Sequence, residues 1–389
     1  MKRKHYLIIT VAVFCGILFL FQRGGDGKKT MTGDEPHGEA NVRVRKSFSF
    51  GRIISSIGLD PEEREIERDP HMSRQEKDEQ RKWYRVHRDG ADIKLTFHVT
   101  DSMGQDVPDA TVEAGFFKND DRKGETDENG LFTAEGKTWG ELTCFVKKDG
   151  HYDTRVVYDL DSEDDDVKNG KWVPWHRTIE VTLKEKRNPI PMYVKQAEII
   201  LPKTNETFGF DFQIGDLIAP YGEGEKADMQ FTYAIKTPVA GKTEYQSNII
   251  FDGMTESDGM VLMHSDLLTN HSSPGFPSVY EAPEESYEQR FEMSYKYTFE
   301  RIIEKNAMTD NDYLIFRCRT ITDDKGQIAS AHYGKMYYVR CSGTRKNPDG
   351  GLIQMQYYFN PTPNDRNLEF DPDKNLFEER KRGGVYLSP

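Results

Sequence analysis

From Ile93 onward, apolar and polar residues alternate with a period of two. Ile93, Leu95, Phe97 and Val99 are separated by Lys94, Thr96, His98 and Thr100, the pattern of a strand with one buried and one wet face. Ala110, Val112, Ala114 and Phe116 repeat it, as do Leu142, Cys144 and Val146, then Val156, Tyr158 and Leu160, then Ile179, Val181 and Leu183. Turn-forming runs fall between them at Asp101–Gly104, Asp127–Gly130 and Lys148–Gly150, where Asp or Asn side chains bond nearby backbone and glycine accepts positive φ. Short strands so spaced predict a β-sandwich over residues 92–186.

The alternation resumes after Asn188-Pro-Ile-Pro191. Phe208, Phe210, Phe212 and Ile214 share one phase, then Met229, Phe231, Tyr233 and Ile235, then Phe291 to Phe299. Leu314, Phe316 and Cys318 are expected to face one way, with Arg317 and Arg319 facing the other. Tyr337, Val339 and Cys341 follow, then Ile353, Met355, Tyr357 and Phe359 with Gln354 and Gln356 outward. These runs predict a second antiparallel, sandwich-like β domain over residues 187–377, with 378–389 a flexible tail. The Pro- and Asn-rich stretch Asn360–Phe377 reads as a strap, lying on its own domain or pairing with a neighbour's sheet edge.

Ahead of the strands the pattern is different. Met1–His5 is basic and is followed by sixteen uncharged residues, Tyr6–Phe21. Such flanks predict a signal anchor or transmembrane helix at residues 1–22, with its N-terminus cytoplasmic and the rest periplasmic or at the cell surface. Gln22 and Arg23 follow directly with no Ala-x-Ala-like site, which favours an uncleaved anchor over the alternative of a cleaved signal. Residues 23–91 read as a polar linker and charged helical stalk. Helix starts stand at Asp60-Pro61-Glu62-Glu63 and Asp69-Pro70, and Gln75–Val86 continues helically; charge on nearly every face predicts solvated helices. The expected fold class is therefore all-β: a transthyretin/Ig-like sandwich, then a second antiparallel sandwich-like domain, behind a membrane helix and stalk.

Several residues of the first β region carry a resemblance. Val99-x-Asp101-x-x-Gly104-x-x-Val107-x-Asp109-Ala110-x-Val112, Thr126-Asp127-x-Asn129-Gly130-x-Phe132, Gly140-x-Leu142 and Gly150-His151 together resemble the carboxypeptidase regulatory-like domain. The likeness spans about residues 92–185 of this chain and implies a seven-stranded transthyretin-like sandwich acting as a non-catalytic accessory module. Asp109 stands where that family usually has Gly, and His151 where it has Tyr.

Composition narrows the partners. The chain of 389 residues carries a net charge of −13, which repels phosphate backbones, so no nucleic-acid partner is expected. Aromatic residues make up 12% and suit strands. Of four cysteines, Cys15 lies in the apolar run. Cys144, Cys318 and Cys341 lack Cys-x-x-Cys spacing, which excludes the usual zinc patterns and leaves a Cys318–Cys341 disulfide or three buried thiols as alternatives.

Candidate chemistry is sparse. The acidic run containing Asp159, Asp161 and Glu163 offers hard oxygen ligands for calcium. Asp164 and Gly170 occupy the positions where an EF-hand loop needs Gly and Glu, and a solvated, self-repelling loop is the plainer alternative. Trp172 and Trp175 flank Val173-Pro174 and either stack on a ligand or close the sandwich end. Gly215–Lys226 lacks phosphate-loop and dinucleotide spacing and reads as a turn. His98 and His332 read as surface or hydrogen-bonded residues. With no nucleophile elbow, His-Glu-x-x-His or Cys–His pair, neither an enzyme nor a cofactor is expected. The expected role is a non-catalytic, envelope-exposed structural or interaction protein, its partners the membrane and a protein or glycan; the alternatives are a carbohydrate-binding module protein and a cryptic hydrolase.

Overall fold

The computed structural model describes residues 60–160, 165–236, 245–268, 272–297, 302–343 and 349–378. Helix α1 (Pro61–Arg68) starts where the sequence marks it: the Asp60 carboxylate accepts from the Glu63 amide at 3.0 Å, with Pro61 in the first turn. Helix α2 (Arg74–Asp89) starts at Ser73 instead of Asp69-Pro70. Ser73 and Glu76 form a reciprocal capping box there, satisfying two amides at once. Gly90, at φ +71°, ends it.

The stalk expectation is corrected at α2. Val86 is 4% exposed and belongs to the first β core, and Trp83 packs on that core with its ring 6.0 Å from that of Trp172. Two apolar residues three apart share one helix face, enough to dock a helix that is otherwise charged. Arg85 bonds Glu63 on α1, and Lys82 pairs with Asp166.

The membrane expectation is also corrected. Among the described residues no helix is long and apolar enough to cross a membrane: α1 and α2 span eight and sixteen residues and are highly charged. The helix expected at residues 1–22 lies outside the described residues, and its sixteen uncharged residues fall short of the roughly 20 that a span needs. The anchored location, the membrane partner and the envelope-exposed role lose their support with it.

Nine strands follow: β1 (Ala91–Asp101), β2 (Thr111–Gly115), β3 (Arg122–Glu125), β4 (Leu131–Thr138), β5 (Glu141–Lys147), β6 (His151–Tyr152), β7 (Thr154–Asp159), β8 (Asp166–Lys168) and β9 (Lys171–Glu185). β1 pairs antiparallel with β4 and parallel with β9, so the first long strand lies beside the last. Across from them β7, β5, β2 and β3 form a second sheet, and Leu95, Phe97, Val112, Cys144, Val156 and Val181 meet between the two. Gly130 is required in its turn. It sits at φ +69°, and a Cβ there would lie 2.4 Å from the Val99 carbonyl oxygen.

The remaining strands are β10 (Ile190–Leu201), β11 (Thr207–Asp211), β12 (Asp216–Leu217), β13 (Met229–Lys236), β14 (Tyr245–Gly253), β15 (Gly259–His264) and β16 (Ser272–Pro274). After them come β17 (Arg290–Tyr297), β18 (Ile302–Asn306), β19 (Asp312–Thr322), β20 (Ile328–Gly343), β21 (Gly351–Asn360) and β22 (Phe370–Asn375). One sheet runs β12-β11-β13-β14-β17-β18 and another β15-β19-β20-β21-β10-β22. Phe210, Phe231 and Phe251 of the first meet Phe316, Met336 and Tyr357 of the second in one core. The second sheet is buried on its other face too, where Tyr313, Ile315, Tyr333, Tyr358, Leu368 and Phe370 cluster. Leu368 and Phe370 come from the strap, which covers its own sheet and pairs β22 parallel to β10. Leu376 stays 43% exposed.

Two local results depart from simple alternation. Arg319 was expected to face outward, but it sits at a register shift with φ +55° and turns in. Its guanidinium bonds Asp228 at 2.6 Å and 3.0 Å and Gln213 at 2.9 Å. The Asp211 carboxylate gathers the amides of Gln213, Ile214, Glu225 and Lys226, which closes the Gly215–Lys226 turn around a carboxylate of the chain itself. Cys318 and Cys341 are free thiols, opposite His332 and Ile353 respectively, so the disulfide alternative does not hold.

Candidate functional site

The two sandwiches are joined by polar chemistry that is buried. β16, far along the chain, pairs with β7 and extends the sheet of the first sandwich. The segment after it carries Phe276, Ser278 and Tyr280 into the junction. At the end of β9, Leu183 faces the first core, and the next residue, Lys184, points the other way and is only 5% exposed. On β20 the residues Ala331, Tyr333, Lys335 and Tyr337 are all buried in one phase, so Lys335 is carried inward by its aromatic neighbours.

Both lysines converge on Ser278. Lys335 Nζ donates to the Ser278 hydroxyl at 3.0 Å and lies 4.2 Å from the Phe276 ring centre and 4.5 Å from that of Tyr358. Lys184 Nζ donates to the Ser278 carbonyl and lies 4.3 Å and 4.4 Å from the rings of Phe276 and Tyr280. Burial depresses both ammonium groups. Lys184 falls to about 8, with Arg187 adding to the effect and Glu369 opposing it, and Lys335 falls well below the ordinary lysine range. Close aromatic faces partly replace the water these ammonium groups have lost.

A cleft of about 360 Å³ opens beside this junction, lined by Arg187, Tyr280, Glu281, Asp365, Arg366, Glu369 and three asparagines. Glu369, 1% exposed, forms its floor. Its carboxylate accepts from the Tyr152 hydroxyl at 2.7 Å and from the amides of Arg187 and Asn188 at 2.8 Å and 2.6 Å. That grip fixes the Arg187 backbone at the cleft wall. The Arg187 guanidinium lies 3.9 Å from the Tyr280 ring centre, and the Tyr280 hydroxyl donates to the Glu185 carbonyl at 2.6 Å. Burial pushes the Tyr280 hydroxyl up to about 12. Arg366 is already paired with Glu281 and Glu284 at 3.1 Å and 2.8 Å, whereas no described carboxylate forms an ion pair with the exposed Arg187.

The Ser278–Lys335 contact has the composition of a nucleophile–base pair. Ser278 is 1% exposed, Lys335 is fully buried, and neither lines the cleft, so no substrate reaches them in this structure.

The residues singled out from sequence lie elsewhere. Trp172 is 1% exposed and donates its indole N–H to the Thr138 carbonyl at 3.1 Å; it is a core residue with no free face for a ligand. Trp175 is half-buried, with Lys171 4.4 Å over its ring. Asp159 is exposed at the end of β7, while Asp161 and Glu163 lie outside the described residues. Among the described residues no group of three His, Cys, Asp or Glu side chains is placed to hold a metal ion. His98 bonds Glu180 and Asp106, which raise its pKa, and His332 stacks on Phe359 at 5.7 Å. Lys335 could have been noticed, since it interrupts an inward aromatic phase between Tyr333 and Tyr337. Arg187, in a linker, carries no periodic signal.

No family model matches the chain, and no curated protein matches it. Among solved structures, 3-chlorocatechol 1,2-dioxygenase from Rhodococcus opacus 1CP is 14% identical with a TM-score of 0.21, the match covering 25% of this chain and 60% of that one. Catechol 1,2-dioxygenase from Acinetobacter sp. ADP1, in its mercury-inhibited form, is 15% identical with a TM-score of 0.21, covering 25% and 54%. BcpA, the major pilin subunit of Bacillus cereus, is 8% identical with a TM-score of 0.20, covering 75% and 97%. The chain thus spans less than two thirds of either dioxygenase, and likenesses this weak carry no argument.

Proposed function

We propose that this chain is a non-enzymatic binding protein whose cleft beside Tyr280 takes a small polar ligand bearing an acidic group. The observation that carries the reading is Arg187: a guanidinium 3.9 Å over the Tyr280 ring centre, held from its own backbone by Glu369, and without a carboxylate partner among the described residues. A guanidinium fixed in this way meets a carboxylate or phosphate through paired, charge-assisted hydrogen bonds at little ordering cost. Glu281 and Asp365 on the same cleft favour a ligand that also carries N–H or O–H donors. No part of this reading depends on a membrane.

Titration with N-acetylglycine, glycine and inorganic phosphate, followed by calorimetry, tests the proposal. At least one is expected to bind, and Arg187→Gln is expected to weaken it about tenfold or more, because a hydrogen bond to a charged group contributes about 1.5–3 kcal/mol. Arg187 is exposed, so thermal stability is expected to stay nearly unchanged. Binding unaffected by Arg187→Gln would remove the cleft from consideration.

The reading also keeps residues 92–185 as a carboxypeptidase regulatory-like module. Support comes from the motif residues themselves. The Thr126 hydroxyl bonds the Val107 carbonyl at 2.7 Å and the Ala110 amide at 2.9 Å, and Asp127 gathers the amides of Asn129 and Leu131.

A further inference from the structure

The Tyr280 ring has a second cation on it. Arg187 lies 3.9 Å from the ring centre and Lys184 lies 4.4 Å from it; the guanidinium lines the cleft, whereas the ammonium is buried in the junction. A ladder continues inward from Lys184 to Phe276 at 4.3 Å and from Phe276 to Lys335 at 4.2 Å. We propose that Lys184 acts through Tyr280 as a titratable positive charge behind the cleft, so that affinity for an acidic ligand falls as its ammonium loses a proton. This rests on the cleft reading given above and adds a regulation to it.

The groups facing Lys184 can be named element by element. Tyr152 on β6 is its cross-strand partner. Phe276, the Ser278 carbonyl and Tyr280 come from the segment after β16. Lys335 comes from β20, Arg187 from the linker after β9, and Glu369 from the strap; of these, Arg187 repels the ammonium and Glu369 attracts it. The raised Tyr280 and Tyr152 hydroxyls remain protonated between pH 7 and pH 10. Lys184, brought to about 8 by burial, changes charge beside the cleft over this range. Burial keeps its field less screened than that of a surface lysine.

Two measurements on the full chain test this. The first uses no ligand: ring signals of ¹³C-tyrosine-labelled protein, with Tyr280 assigned through Tyr280→Phe, are followed across that pH range. A step near the Lys184 midpoint, absent in Lys184→Met, is expected; a flat Tyr280 signal overturns the proposal. The second is the affinity for N-acetylglycine, whose carboxylate stays ionised throughout. Wild type is expected to bind about fivefold more weakly at pH 10 than at pH 7, a size set by one partly screened charge, and Lys184→Met to lose that difference. Equal affinity at both pH values overturns this proposal while leaving the cleft reading standing. No binding of N-acetylglycine, glycine or inorganic phosphate at either pH overturns both.

Discussion

Lys335 holds an ammonium group where only a hydroxyl, that of Ser278 at 3.0 Å, meets it as a hydrogen-bond partner among the described residues. Burial drives its folded pKa well down, so the contribution of the neutral form is fully present above the unfolded lysine range and is lost as pH falls. Burying this side chain therefore costs free energy at neutral pH. Lys335→Met keeps the stem among Phe276, Tyr337 and Tyr358 without that cost, and is expected to raise stability by about 1–4 kcal/mol in urea denaturation, the gain shrinking at high pH. Lys335→Ala leaves a cavity and is expected to fall about 2–4 kcal/mol below the Met variant. Arg319 is the opposite case: Asp228 is fully buried and relies on it. Arg319→Met leaves an uncompensated carboxylate and is expected to cost about 3–5 kcal/mol by the same measurement.

Helix α2 shows how little apolar surface redirects an element. Its sequence is charged almost throughout, yet Trp83 and Val86 fasten it to the first sandwich beside Trp172. Trp83→Ala is expected to cost about 1–2 kcal/mol, since the indole is half-buried. Hydrogen exchange of the α2 amides should rise more than that of β1; equal protection in variant and wild type would show that the helix is held by its ion pairs. The strand elements followed their alternation closely at Ile93–Val99 and Met229–Tyr233, because a half-buried sheet imposes period two on any sequence that forms it. Arg319 escaped that rule. A bulge with positive φ reverses the side-chain phase, and no residue pattern in the Cys318–Thr320 stretch announces it.

The whole molecule depends on the junction of its two sandwiches. β16 pairing with β7, Tyr152 bonding Glu369, and Lys184 and Lys335 sharing Ser278 all cross it. Because the Lys184 folded pKa of about 8 lies below its ordinary 10.5, its stabilising contribution is complete above 10.5 and is lost as pH falls through about 8. Wild type is therefore expected to gain about 2–3 kcal/mol over Lys184→Met between pH 7.5 and pH 10. Urea midpoints of the two proteins at each pH check this, and parallel midpoints would remove Lys184 from the linkage.

The sequence by itself determined that this chain forms β cores and where its turns fall, because burial period and turn chemistry are local properties carried by neighbours two to four residues apart. Only the tertiary structure decided the site. Arg187, Ser278, Lys335 and Glu369 are separated by tens of residues along the chain, and what makes them a cleft and a buried cation ladder is their shared position at a junction. Trp172, conspicuous in the sequence, was decided the same way, because a lone indole carries no local sign of whether a helix will cover it.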